Sequence, residues 1–186
     1  MGIKIYDFDH TIYDGNSTLD FYFYCLKKHP SVVVRIPWQV SAALLYLMRI
    51  YNKTQFKQSF FSFLTLLHQI DELIFGFWTI YRKNLKQWYL CKEHSEDVVI
   101  SASPEFLLKP VCDMLQVKML IASKVDQKTG IFQSANCYGI EKVRRLNQHF
   151  HNDNIEEFYS DSLSDAPLVR LAKKSYRVKK DTLIKW

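Results

Sequence analysis

The 186-residue sequence predicts an α/β fold: a parallel sheet with helices on both faces and an all-helical insert after its first strand. Three observations lead there. Short strand-like runs alternate with helical segments in both flanks of the chain, the pattern of a parallel sheet wound with crossover helices. Residues 15–95 carry helical spacing throughout and no strand-like run. Acids and hydroxyl residues stand directly after the strand-like runs, where an open parallel sheet gathers its ligands.

Taken in order, residues 3–7 form the first expected strand, an apolar run ending in an acid. In the insert, Trp38 begins an apolar segment reaching Tyr51, and Phe56, Phe60, Phe63, Leu64 and Leu67 recur at i, i+4, i+7, i+8 and i+11. Leu73, Phe77, Ile80, Tyr81 and Trp88 suggest a third helix. Beyond the insert, strands are expected at 98–101, 119–122, 158–161 and 176–178, and helices at 104–115, 141–150 and 165–174. Pro104 stands near a helix start, where its missing N–H costs least. Lys128-Thr129-Gly130 marks a turn. The expected division is therefore 1–14 with 96–186 as the α/β core and 15–95 as the helical insert.

Composition narrows the function. With 48% hydrophobic, 15% aromatic and 24% charged residues, the chain is an ordinary globular one. No apolar run of signal-peptide length follows Met1, so export is not expected. Segment 36–48, bounded by Arg35 and Arg49, falls short of the roughly 18 residues a spanning helix needs and reads as a buried helix. Cys25, Cys91, Cys112 and Cys137 form no CxxC pair, which excludes a zinc knuckle or dithiol motif and suits a reducing cytoplasm. His149 and His151 would point to different sides of a helix and read as solvated. Residues 15–95 hold ten Lys or Arg against four acids, a net +6 that equals the formal charge of the whole chain. They also hold 17 of its 28 aromatic residues.

The chemistry is read from the strand ends. Asp7 and Asp9 follow the first strand, Ser101 ends the second, Asp161 and Asp165 follow a later one, and Lys142 lies just inside a helix. Four acids on neighbouring strand ends repel one another unless a cation lies between them, and a hard divalent ion such as Mg2+ takes one or two carboxylates together with substrate phosphate. The lysine and serine are then left to hold phosphoryl oxygens. Of the paired aspartates, one can attack phosphorus and the other can move the leaving-group proton.

The run "DFDHT" resembles the first motif, DxDxT, of the haloacid dehalogenase (HAD) superfamily of Mg2+-dependent phosphohydrolases. "VVISAS" is similar to its second motif. "NCYGIEK" and "YSDSLSDAPLV" resemble the lysine and acidic motifs of its phosphoserine-phosphatase-like branch, and the insert is similar to that branch's cap. The resemblance implies a Rossmann-like core, Asp7 as nucleophile, Asp9 as acid/base, and Ser101 and Lys142 as phosphate holders. Thr11 braces the loop and is grouped with the phosphate-binding residues. The metal set implied is Asp7, Asp9 and Asp161, with Asp165 in support.

Two positions depart from the pattern. His10 is bulkier than the residue usual before the threonine, and Asn16 replaces the glutamate that would sense the ammonium of phosphoserine. The positive charge of residues 15–95 above a phosphate pocket should attract anionic substrates, so the expected substrate is a small anionic phosphate ester, with no nucleic-acid partner. The alternatives are a lipid-phosphate phosphatase at a membrane surface, suggested by the segment between Arg35 and Arg49, and a non-catalytic phosphate-binding protein on the same scaffold.

Overall fold

The first strand, β1 (Ile3–Tyr6), lies inside the sheet because three of its four side chains, Ile3, Ile5 and Tyr6, have apolar neighbours on both faces. The computed structural model describes residues 2–92, 95–150 and 155–186. Its sheet has six strands in the order β3-β2-β1-β4-β5-β6. Beyond β1 these are β2 (Asp97–Pro104), β3 (Met119–Ser123), β4 (Ile155–Ser160), β5 (Lys174–Lys179) and β6 (Thr182–Lys185). The first five strands run parallel, and β6 returns antiparallel to β5. After β1 the chain adds β2 and β3 on one side, then crosses to add β4 and β5 on the other. The carboxyl end of β1 is therefore the switch point of the sheet, where a crevice opens between diverging connections.

Among the described residues, every regular element between β1 and β2 is helical. These are α1 (Ser17–Lys28), α2 (Ile36–Leu47), α3 (Lys53–Phe60), α4 (Ile70–Tyr81) and the short α5 (Gln87–Leu90). Helix α1 starts at Asn16, whose side chain accepts the Leu19 amide at 3.0 Å. Helix α3 starts on a reciprocal cap, with Asn52 and Gln55 each accepting the other's backbone N–H at 2.9 Å. After β2 come α6 (Glu105–Met114), α7 (Ile140–Leu146) and α8 (Ala166–Val169).

Alternate residues of the strands feed two cores. On one face Ile5, Val98, Ile100 and Phe158 meet Leu146 of α7 and Leu168 of α8. On the other, Tyr6, Tyr159 and Tyr176 stack across three strands with ring centroids 4.7 and 5.0 Å apart. That aromatic row is continuous with Phe21, Phe63, Phe77 and Trp78 of the inserted helices, so the insert is packed onto the sheet itself. The Trp78 indole N–H also donates to the Leu107 carbonyl of α6 at 2.7 Å.

Several expectations change in detail. The helix face starting at Phe56 breaks after Phe60 into a 3-10 segment (Phe61–Leu66), and the tighter winding turns Phe61, Phe63 and Leu64 all inward. The helices expected at 141–150 and 165–174 end early, at Leu146 and Val169. Strand β6 was not expected, since its Thr-Leu-Ile-Lys sequence lies on an exposed edge without a buried face. His151 falls outside the described residues. The cysteines are unpaired as expected, with only Cys91 exposed.

The largest correction concerns segment 36–48, expected as a buried helix. Helix α2 buries only Gln39 and Ala42. Gln39 ties it down by accepting the Tyr22 hydroxyl at 2.8 Å and donating to the Phe60 carbonyl at 2.9 Å. With polar Gln39 satisfied on the inner side, most of the helix's large apolar side chains face outward. No single helix among the described residues is long and apolar enough to cross a membrane.

Candidate active site

The loop after β1 carries the first two acids, and hydrogen bonds on both sides fix its course. The Asp7 amide donates to the Tyr159 carbonyl of β4 at 2.9 Å, which fastens the loop to the neighbouring strand. The amides of Thr11, Ile12 and Tyr13 all converge on the Phe8 carbonyl at 2.9–3.2 Å. His10 takes a left-handed backbone conformation (φ 58°), a strained choice for a residue with a side chain. Its carbonyl accepts the Lys86 ammonium at 2.7 Å, and the same ammonium donates to the Lys180 carbonyl. Lys86 is thus a buried clasp between the insert, the loop and the β5–β6 turn.

Asp7 is nearly buried and looks onto Lys142. Its Oδ1 accepts the Phe8 amide at 2.9 Å and the Lys142 Nζ at 3.0 Å. Lys142 also donates to Asp165 Oδ2 at 2.7 Å, and that oxygen receives the Ser160 hydroxyl at 2.8 Å. Gly139, at φ 58°, makes the turn that starts α7 and so sets where Lys142 projects. Burial pulls the lysine's proton affinity down, but the two carboxylates outweigh it and hold the ammonium form above the ordinary lysine range. Burial pushes the Asp7 carboxyl up to about 7, against the pull of Lys142.

Asp9 faces the opposite wall. Its Oδ1 accepts the Ser17 amide at 2.7 Å and its Oδ2 the Ser103 hydroxyl at 2.5 Å. Because Ser103 gives its one proton to Asp9, the 2.9 Å contact between Ser103 and Thr18 has Thr18 as donor. Pro104, with no side-chain cap, holds the cap position of α6, and Ser103 belongs to Asp9.

Asp7, Asp9, Lys142 and Asp161 line one cleft of about 400 Å3, shared with Asn16, Ala102, Ser103, Tyr138, Ser162 and Ser164. Helix α3 closes its far side with Lys53, Phe56, Lys57 and Phe60. Three expected site residues are set back from it. Thr11 is fully buried and its hydroxyl oxygen accepts the Asp161 amide at 3.0 Å, so it braces the two acid-bearing loops against each other and does not face the cleft. Ser101 is buried, its oxygen accepting the Ser103 amide at 3.1 Å. Asp165 is buried behind Lys142. Asn16 reaches the cleft, but its side-chain oxygen is used in capping α1.

The donor chemistry suits a hard divalent cation. Asp7, Asp161 and the main-chain carbonyl of Asp9 would supply oxygen ligands, leaving the Asp9 carboxylate to its serine partners. Burial pushes the Asp161 carboxyl up, and among the described residues no cationic side chain pairs with it. Asp165 Oδ1 is buried without a hydrogen-bond partner. The Asp161 carboxyl therefore lines the cleft without an ion-pair partner, and one oxygen of Asp165, on the far side of Lys142, has an unused lone pair. Among the described residues no cluster of three or more His, Cys, Asp or Glu side chains is arranged to hold a metal alone. The remaining coordination would fall to the carbonyl, water and substrate oxygens, as is usual for Mg2+.

The net positive charge of residues 15–95 announces a cationic insert, and the structure shows which of its lysines face the cleft. Lys57 crosses from α3 to donate to the Ala102 carbonyl at 2.8 Å, and burial lowers its pKa to about 8. Lys53 lies over the Tyr138 ring at 3.2 Å from its centroid. The available signal was the 53, 56, 57, 60 spacing, which puts two lysines and two phenylalanines on one helix face.

Comparison with known proteins extends this picture. The family model for haloacid dehalogenase-like hydrolases matches residues 5–170. A histidinol-phosphatase of Neisseria meningitidis serogroup C (strain 8013) is 30% identical over 98 residues, covering 46% of this chain and 44% of that protein. The match therefore spans less than half the length of that curated relative. A protein of unknown function from Bordetella pertussis Tohama I superposes with TM-score 0.78 at 18% identity, over 93% of this chain and 87% of that one. A phosphoserine phosphohydrolase-like protein from Francisella tularensis subsp. tularensis SCHU S4 superposes with TM-score 0.62 at 16% identity, over 97% and 88%. At these identities the two structures speak to the fold.

Proposed function

We propose, from the premise that this chain belongs to the haloacid dehalogenase-like hydrolases, that it hydrolyses small anionic phosphate monoesters through an aspartyl-phosphate on Asp7. The observation that carries the reading is the buried Asp7–Lys142–Asp165 relay opening on a cleft that also presents Asp9 and Asp161. The histidinol-phosphatase relative supports phosphate-ester chemistry in this family.

In the first step the Asp7 carboxylate forms a bond to phosphorus as the ester P–O bond breaks, and Asp9, in its acid form, gives its proton to the departing alkoxide. In the second, water attacks the phosphorus, its proton passes to the Asp9 carboxylate, and the Asp7–phosphorus bond breaks to release inorganic phosphate. Asp9 must exchange its contacts with Ser103 and Ser17 for the leaving oxygen. Lys142, oriented by Asp165, faces the transferring group with fixed positive charge, which needs no reorganisation at the moment of reaction. Thr11 keeps the Asp161 loop in register with the Asp7 loop. The phosphate-holding role implied for Ser101 falls in this scheme to the strand end it anchors, with Ser103 and Lys142 exposed to the cleft. Mg2+ held by Asp7, Asp161 and the Asp9 carbonyl would supply further neutralisation of the phosphoryl charge. Segment 15–95 acts as a cap over the site, its lysine-bearing helix α3 meeting the alcohol side of the ester.

Hydrolysis of an aryl phosphate tests the reading. Turnover should require Mg2+ and disappear with a chelator, and Asp7→Asn should lower it by at least about a hundredfold. A rate for Asp7→Asn within a few-fold of the parent removes Asp7 as the nucleophile.

A further inference from the structure

Helix α2 is apolar nearly all round, yet it packs on the rest of the protein through a narrow side and leaves most of its apolar surface outside. Its inner side presents Gln39 and Ala42, and its outer side Val40, Leu44 and Leu47, followed by Met48. Leu44 is 55% exposed, Leu47 75% and Met48 70%. Val33 and Val34 before the helix, Trp38 within it and Ile50 after it are exposed as well, so the apolar surface runs the length of the segment. Isolated exposed apolar residues need no explanation, but a continuous run of this kind marks a surface that meets something.

Charge says what it meets. The fifty residues from 21 to 70 contain no Asp or Glu and six Lys or Arg: Lys27, Lys28, Arg35, Arg49, Lys53 and Lys57. Arg35 stands at one end of α2 and the exposed Arg49 at the other. An outward apolar stripe with cationic ends and no acid in the surrounding sequence fits a bilayer surface, where apolar side chains enter the acyl boundary and the cations meet anionic headgroups. A second copy of this chain is a poor match, because stacking two such faces sets Arg35 and Arg49 against like charges with no acid in the segment to pair with them.

We propose that the α2 face docks this protein on anionic membrane surfaces. The docking does not depend on the hydrolase reading, although it bears on it. Phe56, which lines the cleft, stacks on Tyr46 of α2 with centroids 5.3 Å apart, so the docked face and the cleft are one helix apart. Phosphate esters presented at a bilayer would thereby reach the cleft without diffusing through bulk solvent.

The test is co-sedimentation of the full chain with vesicles of phosphatidylcholine alone, or of phosphatidylcholine with phosphatidylglycerol, at low and high ionic strength. The parent should pellet with the anionic vesicles, bind the neutral ones far more weakly, and be released by salt. The double substitution Leu44→Asp with Leu47→Asp should weaken binding at least about tenfold, because each removes an inserted side chain and adds a repelled charge. Both positions are exposed and lie outside the catalytic machinery, so thermal stability and turnover of a soluble aryl phosphate should stay at parent values. The proposal is overturned if the parent remains in the supernatant with anionic vesicles, or if the double variant pellets as the parent does. It is equally overturned if the parent is a dimer in solution that the double variant dissociates, since the face then belongs to a second copy.

Discussion

Replacing Lys142 by methionine is the sharpest structural test of the site, because one ammonium balances two buried carboxylates. Lys142 Nζ lies 3.0 Å from Asp7 and 2.7 Å from Asp165, with both the lysine and Asp165 almost wholly out of solvent. Methionine fills similar volume without the charge, so packing is little changed and the loss is electrostatic. Breaking a buried pair by removing one partner costs about 3–5 kcal/mol, since the other charge is left uncompensated. For a chain of this size each kcal/mol lowers the melting temperature by roughly 2–4 °C, giving an expected drop of about 6–20 °C. Thermal and urea unfolding measure it, and turnover should be abolished in the same variant.

A structural loss alone would also follow from poor packing, so the second substitution decides. In the Lys142→Met background, Asp165→Asn removes the stranded charge and should restore part of the stability. In the parent background the same change should destabilise, because it leaves Lys142 with one partner. The resulting coupling should be about 1–3 kcal/mol. If Lys142→Met melts within about 2 °C of the parent, or if the two substitutions are additive, the relay from Asp165 through Lys142 to Asp7 is not the electrostatic unit described above.

Asp9→Asn should lose least on aryl phosphates, whose leaving groups depart without a proton, and about 10²–10⁴-fold more on alkyl phosphates. Steady-state rates on a leaving-group series measure this, and equal losses across the series would refute the acid/base role. Lys57 titrates near 8, below the usual lysine range, because burial disfavours its charge. As pH rises through that value the α3 wall of the cleft loses positive charge, so KM for a dianionic ester should climb while kcat changes little, and Lys57→Met should remove the inflection. Between about pH 8 and 10 the folded chain also holds fewer protons on this lysine than the unfolded chain, so the parent should gain stability relative to Lys57→Met as pH rises through that window. A KM profile that is flat from pH 7 to 9 in the parent, or the same in both proteins, would remove Lys57 from substrate binding.

Strand ends were legible in the sequence because they obey a local rule: an apolar run followed by a polar residue announces itself without knowledge of the partner. Asp7, Asp9 and Asp161 could be placed in that way, and the structure draws them to one cleft at the switch point beside β1. What the rule does not give is orientation. Thr11, Ser101 and Asp165 occupy the expected stretches of chain, but whether a side chain enters the cleft or braces the loop behind it depends on non-local hydrogen bonds. Examples are Thr11 to the Asp161 amide and Asp165 to Lys142. For Ser103 and Lys57 the local sequence names no partner, and each is oriented by a group many residues distant, Asp9 and the Ala102 carbonyl.

Helix α2 shows the same limit at the scale of an element. Hydropathy identifies the 36–48 segment as apolar, and from that alone burial is the economical expectation. Burial needs a partner face, however, and the inserted helices have spent theirs: Phe21, Phe63, Phe77 and Trp78 already fill the space above the tyrosine row of the sheet. Only a narrow contact remains for α2, satisfied by Ala42 and the doubly bonded Gln39, and the surplus apolar surface is left outside. A sequence that retains leucines on the outside of such a helix, and excludes every acid from the fifty residues around it, behaves as one selected for contact with an apolar, negatively charged surface. The outward face of α2 and the acid-free charge pattern are independent observations, one from packing and one from composition, and their agreement is what gives the docking assignment its force.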